Sequence, residues 1–158
     1  FNIQKDVQEI LNAQLSLKLK LLKRMDLKPI DGIPELLKGI RRAGLPIAVA
    51  SSSSAIFIKE VLKRIGVDYL IDMFVSGESV PHSKPEPDVF LKAAEFLGVE
   101  PADCVVIEDS KNGTIAAKKA GMKCVGFRNP HPGNQDLSVA DLVIDDFRKL
   151  DVKALSAV

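Results

Sequence analysis

The chain has 158 residues, room for one domain and part of a second. Hydrophobic residues make up 46% and charged residues 27%, too apolar for a disordered chain. With 22 basic and 21 acidic side chains the formal charge is only +1, which argues against a nucleic-acid partner. The longest uncharged apolar stretch, Leu45 to Ala50, falls far short of the roughly 20 residues that span a bilayer, so no membrane role is expected. No signal-peptide pattern is visible. Cys104 and Cys124 are too few for a disulfide scaffold, and a reducing cytosol is the expected compartment. The chain starts at Phe1 and its first methionine is Met25, so it is read as the remainder of a longer protein.

Residues 1–28 contain no glycine or proline. Their apolar residues, Ile3, Val7, Leu11, Leu15 and Leu19, recur in steps of four, with Ile10, Leu21, Leu22 and Met25 widening the stripe. That spacing predicts an amphipathic helix or helix pair. Nothing nearby offers the stripe a partner, so its partner helices are expected upstream.

From Asp31 onward helices and short apolar strands alternate. Helices are predicted over Pro34–Ala43, Ala55–Ile65, Asp88–Leu97 and Asn112–Ala120, each stopped by a glycine. Strands are predicted at Ile47–Ala50, Phe74–Val75, Cys104–Ile107, Lys123–Phe127 and Leu142–Ile144. This alternation means parallel βαβ units, an α/β fold with helices on both faces of a parallel sheet.

In open α/β sheets ligands bind beyond the carboxyl ends of the strands. After Ile47–Ala50 come Ser51, Ser52, Ser53 and Ser54. Hydroxyls and free N–H groups at a helix start suit a phosphate, with Ser51 the first to face a ligand. The plain alternatives are a flexible linker, or a helix cap formed by Ser52 or Ser53. After Cys104–Ile107 come Glu108, Asp109 and Ser110. Adjacent carboxylates repel and lose hydration, and a hard cation such as Mg²⁺ relieves both costs. The alternative is that Asp109 or Ser110 only caps the next helix. Between the two lies Ser83-Lys84-Pro85-Glu86-Pro87-Asp88. Lys84 is either a surface lysine or, held rigidly by its prolines, the balancing charge for phosphate and a carboxylate nucleophile. His82 and His131 lack a metal-ligand spacing and are read as solvated. Cys104 and Cys124 are read as core fillers. Dinucleotide and P-loop fingerprints are absent.

Together the Ala48–Ser53 strand end, the Ser83–Asp88 segment and the Val106–Ser110 strand end resemble three of the four motifs of the haloacid dehalogenase superfamily. The nearest branch is the beta-phosphoglucomutase-like phosphatases. Val75–Glu78 and Gly113–Met122 support the resemblance, which covers about residues 30–150. It implies a Rossmann-like core with a helical cap inserted after its first strand. Residues 1–28 would be the end of that cap, and 29–158 a core lacking its first strand. It also implies Mg²⁺-dependent phosphoryl transfer, with an Asp-x-Asp motif supplying nucleophile and proton donor. By the same resemblance Ser51, Ser52 and Ser53 contact the phosphoryl group, and Lys84 orients the nucleophile. Asp109 ligates Mg²⁺, with Glu108 as ligand or support. The implied substrate is a small phosphorylated metabolite of the sugar-phosphate kind.

The chain departs from the family at its first motif, because no Asp-x-Asp occurs in it. It is therefore read as a fragment, inactive alone, whose missing N-terminal segment is supplied in cis or in trans. Serine at position 54, where the mutase tends to carry a lysine, favours a phosphatase. The alternatives are a sugar-phosphate mutase, a metal-free dehalogenase, and a non-catalytic fragment binding a phosphorylated ligand or partner. Glu108-Asp109 argues against the dehalogenase.

Overall fold

The computed structural model describes residues 6–130 and 135–158. Ile3 and His131, read above as part of the stripe and as solvated, lie outside them. The described elements are α1 (Val7–Arg24), α2 (Ile33–Arg42), β1 (Ala48–Ser51), α3 (Ala55–Arg64), β2 (Met73–Ser76), α4 (Asp88–Leu97), β3 (Val105–Glu108), α5 (Lys111–Lys119), β4 (Lys123–Phe127), β5 (Leu142–Ile144) and α6 (Val152–Ser156). Among the described residues every strand pairing is parallel. This is the α/β architecture expected from the alternation.

Among the described residues the strands form two sheets, β1–β2 and β3–β4–β5. Ser51 lies opposite Ser76 in the first, and Glu108 opposite Gly126 in the second. β1 and β3 are not partners. The two sheets nevertheless share one core. On one face α4 packs against β1 and β2, α5 against β3 and β4, and the two helices touch. Val75, Val89, Phe90 and Ala93 join Val106, Ala116, Ala117 and Cys124 in a single apolar cluster there. The next residue along β4, Val125, points to the opposite face, as the strand period of two requires. It meets Leu36 of α2, Leu155 of α6, Phe127 and Phe147. The rings of Phe127 and Phe147 stack at 4.3 Å.

Each sheet is fastened at its amino end by one aspartate. Asp72 Oδ2 accepts the Ile47 N–H at 2.8 Å, and the Asp72 N–H donates back to the Ile47 carbonyl at 2.9 Å. Asp141 does the same for Cys124, at 2.7 and 2.9 Å. A base near the end of a helix holds each carboxylate: Arg41 of α2 for Asp72, Lys118 of α5 for Asp141. Helix ends follow their local chemistry. Ser110 and Asp151 cap α5 and α6, and Gly98 closes α4 in the left-handed region at φ 67°.

α1 touches the rest of the molecule through α3. Leu22 is buried, and Arg64 donates to the Met25 carbonyl at 3.2 Å. Val7, Ile10, Leu11, Leu17, Leu21 and Met25 stay exposed. Cys124 fills the core as expected, and burial, followed by the nearby Glu108 charge, pushes its thiol up to about 11. Cys104 is only partly buried but packs against the same core, its thiol donating to the Glu100 carbonyl at 3.5 Å. No described helix is long and apolar enough to cross a membrane.

Candidate active site

Parallel pairing puts the carboxyl ends of the strands at one edge of each sheet, and the three polar segments gather there. β1 runs one residue further than predicted and ends on Ser51. Ser51 Oγ accepts the Ser53 N–H at 3.2 Å, a turn that leaves its hydroxyl proton for another acceptor. Ser52 is exposed at the tip. Neither Ser52 nor Ser53 caps α3. Ser54 does, its Oγ accepting the Phe57 N–H at 3.4 Å, because Ser51–Ser53 form the turn that precedes the helix. The end of β2 props that turn. Ser76, 5% exposed, donates its hydroxyl to the Ser53 carbonyl at 2.8 Å. Gly77 packs so closely that a Cβ there would lie 3.0 Å from Ser52 Cα.

Lys84 is not a surface lysine. Its side chain is 11% exposed, and its Nζ donates to Glu108 Oε2 at 2.7 Å and to the Ala50 carbonyl at 3.3 Å. The ammonium also sits over the Phe90 ring, 4.5 Å from the centroid. It thus joins the end of β1, one residue before Ser51, to the end of β3.

Glu108 ends β3 and turns back over the start of α5. Its Oε1 accepts the Asp109 N–H at 3.0 Å, the Ser110 N–H at 3.1 Å and the Ser110 hydroxyl at 3.0 Å. Burial alone would raise its carboxyl. The Lys84 charge and these hydrogen bonds outweigh burial, and the group lies below the usual carboxylate range. Lys84 therefore supplies the counter-charge that the sequence suggested for a cation. Of the two capping candidates it is Ser110 that caps α5, its Oγ accepting the Gly113 N–H at 3.1 Å. Asp109 stays exposed, Oδ2 accepting from Asn129 Nδ2 at 3.1 Å.

Sequence reasoning missed three neighbours of the site. Phe90 reads as an ordinary core residue of α4. Asn129 has one signal, its position just beyond β4. Gly113 opens a stretch that supports the family resemblance, but its place at the site is not readable from the sequence. His82, exposed as expected, pairs with Asp88 at 2.9 Å. A groove of about 860 Å³ lies elsewhere, bordered by Ile30, Glu35, Arg42, Phe147 and Lys153. It contains none of Ser51, Lys84 or Asp109, so chemistry rather than volume places the site.

The carboxylate oxygens of Glu108 and Asp109 are hard donors of the kind Mg²⁺ takes, but the described residues contain no cluster of three such ligands. Mg²⁺ keeps several waters and is often held by one or two carboxylates plus substrate phosphate, so exposed Asp109 fits as a ligand, while Glu108, its oxygens taken by Lys84 and the start of α5, fits as support beside it.

Residues 1–127 match the haloacid dehalogenase-like hydrolase family, and the chain belongs to it. It is 32% identical over 150 residues to hexitol phosphatase B of Escherichia coli K12, covering 94% of this chain and 67% of that protein. The fold superposes on a mutant of CbbY from Rhodobacter sphaeroides, solved with xylulose-(1,5)bisphosphate, at TM-score 0.89 and 27% identity, over 97% of this chain and 70% of CbbY. It also matches beta-phosphoglucomutase from Clostridium difficile at TM-score 0.75 and 29% identity, over 87% and 60%. The chain spans less than two thirds of several other curated relatives, from 45% to 61% of their lengths.

Proposed function

We propose that this chain forms the phosphate-handling part of a Mg²⁺-dependent phosphate monoester hydrolase acting through a phosphoaspartyl intermediate. The observation that carries the reading is the buried Lys84 ammonium, held between the end of β1 and Glu108. A cation fixed in a site of low water content stabilises charge that develops on a transferring phosphoryl group. In this reading Ser51 donates its hydroxyl to a phosphoryl oxygen, and Ser52 and Ser53 contribute at the turn. Lys84 orients the attacking carboxylate. Asp109 holds Mg²⁺ with Glu108 beside it, and when bound the ion neutralises phosphoryl charge.

The nucleophile in this reading comes from a segment carrying Asp-x-Asp, seated between β1 and β3 in cis or in trans. Two unpaired strand sides flanking the Lys84 bridge support that placement. α1 is then the end of a helical cap over residues 1–28, its exposed apolar face covered by other cap helices, and 29–158 is the core. The substrate class is a small phosphorylated sugar or sugar alcohol, supported by the names of the hexitol phosphatase and the bisphosphate-bound CbbY. The compartment is the cytosol. Serine at position 54, where the mutase tends to carry a lysine, favours hydrolysis over the mutase reaction.

The test is a phosphatase screen, with and without Mg²⁺, on the full-length protein and on residues 1–158 alone. Metal-dependent hydrolysis by the first only is the expected result. Hydrolysis by 1–158 alone, or none by the full-length protein, overturns the reading.

A further inference from the structure

Gly113 stands at the third position of α5, a nine-residue helix opened by the Ser110 cap. Glycine is the weakest helix former after proline. Neither a turn nor a left-handed backbone requires it here, since its φ is not positive. What does require it is Glu108. A Cβ built on Gly113 would fall inside the van der Waals envelope of Glu108 Cγ, Cδ and Oε2. The Glu108 side chain thus occupies the volume that any other residue at 113 would take.

We propose that Gly113 is a positioning residue of the candidate site: by having no side chain it lets the Glu108 carboxylate lie over the first turn of α5 and meet Lys84. The backbone of α5 is fixed by Ala116 and Ala117, both fully buried against the core, so the helix cannot retreat. A methyl at 113 therefore displaces Glu108. Its carboxylate leaves Lys84 and the N–H groups of Asp109 and Ser110 together. Lys84 then keeps only the Ala50 carbonyl and the Phe90 ring. The catalytic consequence rests on the phosphatase reading; the positional one does not.

The experiment compares the wild type, Gly113→Ala, Glu108→Ala and the double variant in the full-length protein. It reads melting temperature, labelling of Lys84 by an amine-reactive reagent followed by peptide mass spectrometry, and Mg²⁺-dependent hydrolysis of phosphate monoesters. Gly113→Ala alone is expected to lower the melting temperature by roughly 4 °C and to raise Lys84 labelling several-fold. Its kcat should fall on the order of tenfold with KM little changed, the mark of an interaction made in the transition state. Added to Glu108→Ala, which removes the atoms that clash, the same substitution should leave labelling unchanged and raise the melting temperature slightly, as alanine is the better helix former. Equal losses in both backgrounds, or wild-type labelling in Gly113→Ala, overturn the proposal. If Gly113→Ala does not fold, the double variant decides: folding as well as Glu108→Ala supports it, and failing to fold overturns it. If the couplings hold while the wild type hydrolyses nothing, the positioning role stands and the phosphatase reading falls.

Discussion

The Lys84 ammonium and the Glu108 carboxylate meet at 2.7 Å, each side chain only 11% exposed, and together they bridge the β1–β2 sheet to the β3–β4–β5 sheet. An ion pair at this depth gives up hydration on both sides and recovers it only through geometry. Here the recovery is visible: the carboxylate takes donors on both oxygens, and the ammonium takes a carbonyl and an aromatic face.

That pairing changes what Lys84→Ala should do. The flanking prolines alone, which fix the backbone whatever the side chain is, predict that Lys84→Ala harms catalysis more than folding. Removing one partner of a buried pair leaves the other uncompensated, at a cost of about 3–5 kcal/mol. Lys84→Ala should therefore lose stability as well as turnover, and Lys84→Ala with Glu108→Gln should recover part of the stability but none of the turnover. Urea unfolding of the set measures this. A single variant as stable as the wild type contradicts the ion-pair geometry.

Stability should also depend on pH through Glu108. Its folded pKa lies below the ordinary glutamate value of about 4.5. The unfolded carboxyl thus binds its proton more tightly than the folded one. The contribution is fully present above about pH 4.5 and is lost as pH falls through the lower folded value. Melting curves between pH 3 and 7 should show the gap between wild type and Glu108→Gln shrinking on the acid side. A gap that widens toward acid would reverse the sign of the argument.

Asp109 separates the metal role from the structural one. It is exposed, and its partner Asn129 is a single amide. In the full-length protein Asp109→Asn should leave the melting temperature nearly unchanged. It should weaken Mg²⁺ activation and reduce turnover by roughly 100-fold, the scale of one preorganised electrostatic group. An unaltered Mg²⁺ titration would remove Asp109 from the ligand set.

Away from the site, Asp141 should act on the fold alone. Its carboxylate accepts the N–H of Cys124, a residue fully buried in the core. Asp141→Ala strands that donor, at about 1–3 kcal/mol. Lys118→Ala, which leaves the hydrogen bond in place, should cost less. Comparing the two by chemical denaturation isolates the backbone contact from the charge.

The elements of the core were legible because each carries its own punctuation. Asp88–Leu97 was read to the residue, bounded by Pro87 and Gly98. β1 and β3 were placed one residue early, because Ser51 and Glu108 look like loop residues but still hold the parallel register. α6 went unread, being too short to show a period. At the site, the parallel direction of the strands told which loops share an edge, since that follows from alternation alone. It did not tell that Lys84 pairs with Glu108, because a contact between residues 24 apart depends on how deep the intervening segment folds. The role of Gly113 is hidden for the same reason: it is set by the volume of a side chain on another element.

The unpaired flanks of β1 and β3 have a consequence for solvent exchange of the backbone. In a parallel strand successive amides point alternately to the two neighbours. β1 has one described neighbour, β2, and β3 has one, β4. Every second amide along β1 and β3 thus lacks an inter-strand acceptor and should take up deuterium at rates typical of loops, while the amides between them stay protected. A strand that docked between them would close both rows at once. Alternating protection along Ala48–Ser51 and Val105–Glu108 is therefore a gauge of occupancy that needs no substrate and no metal.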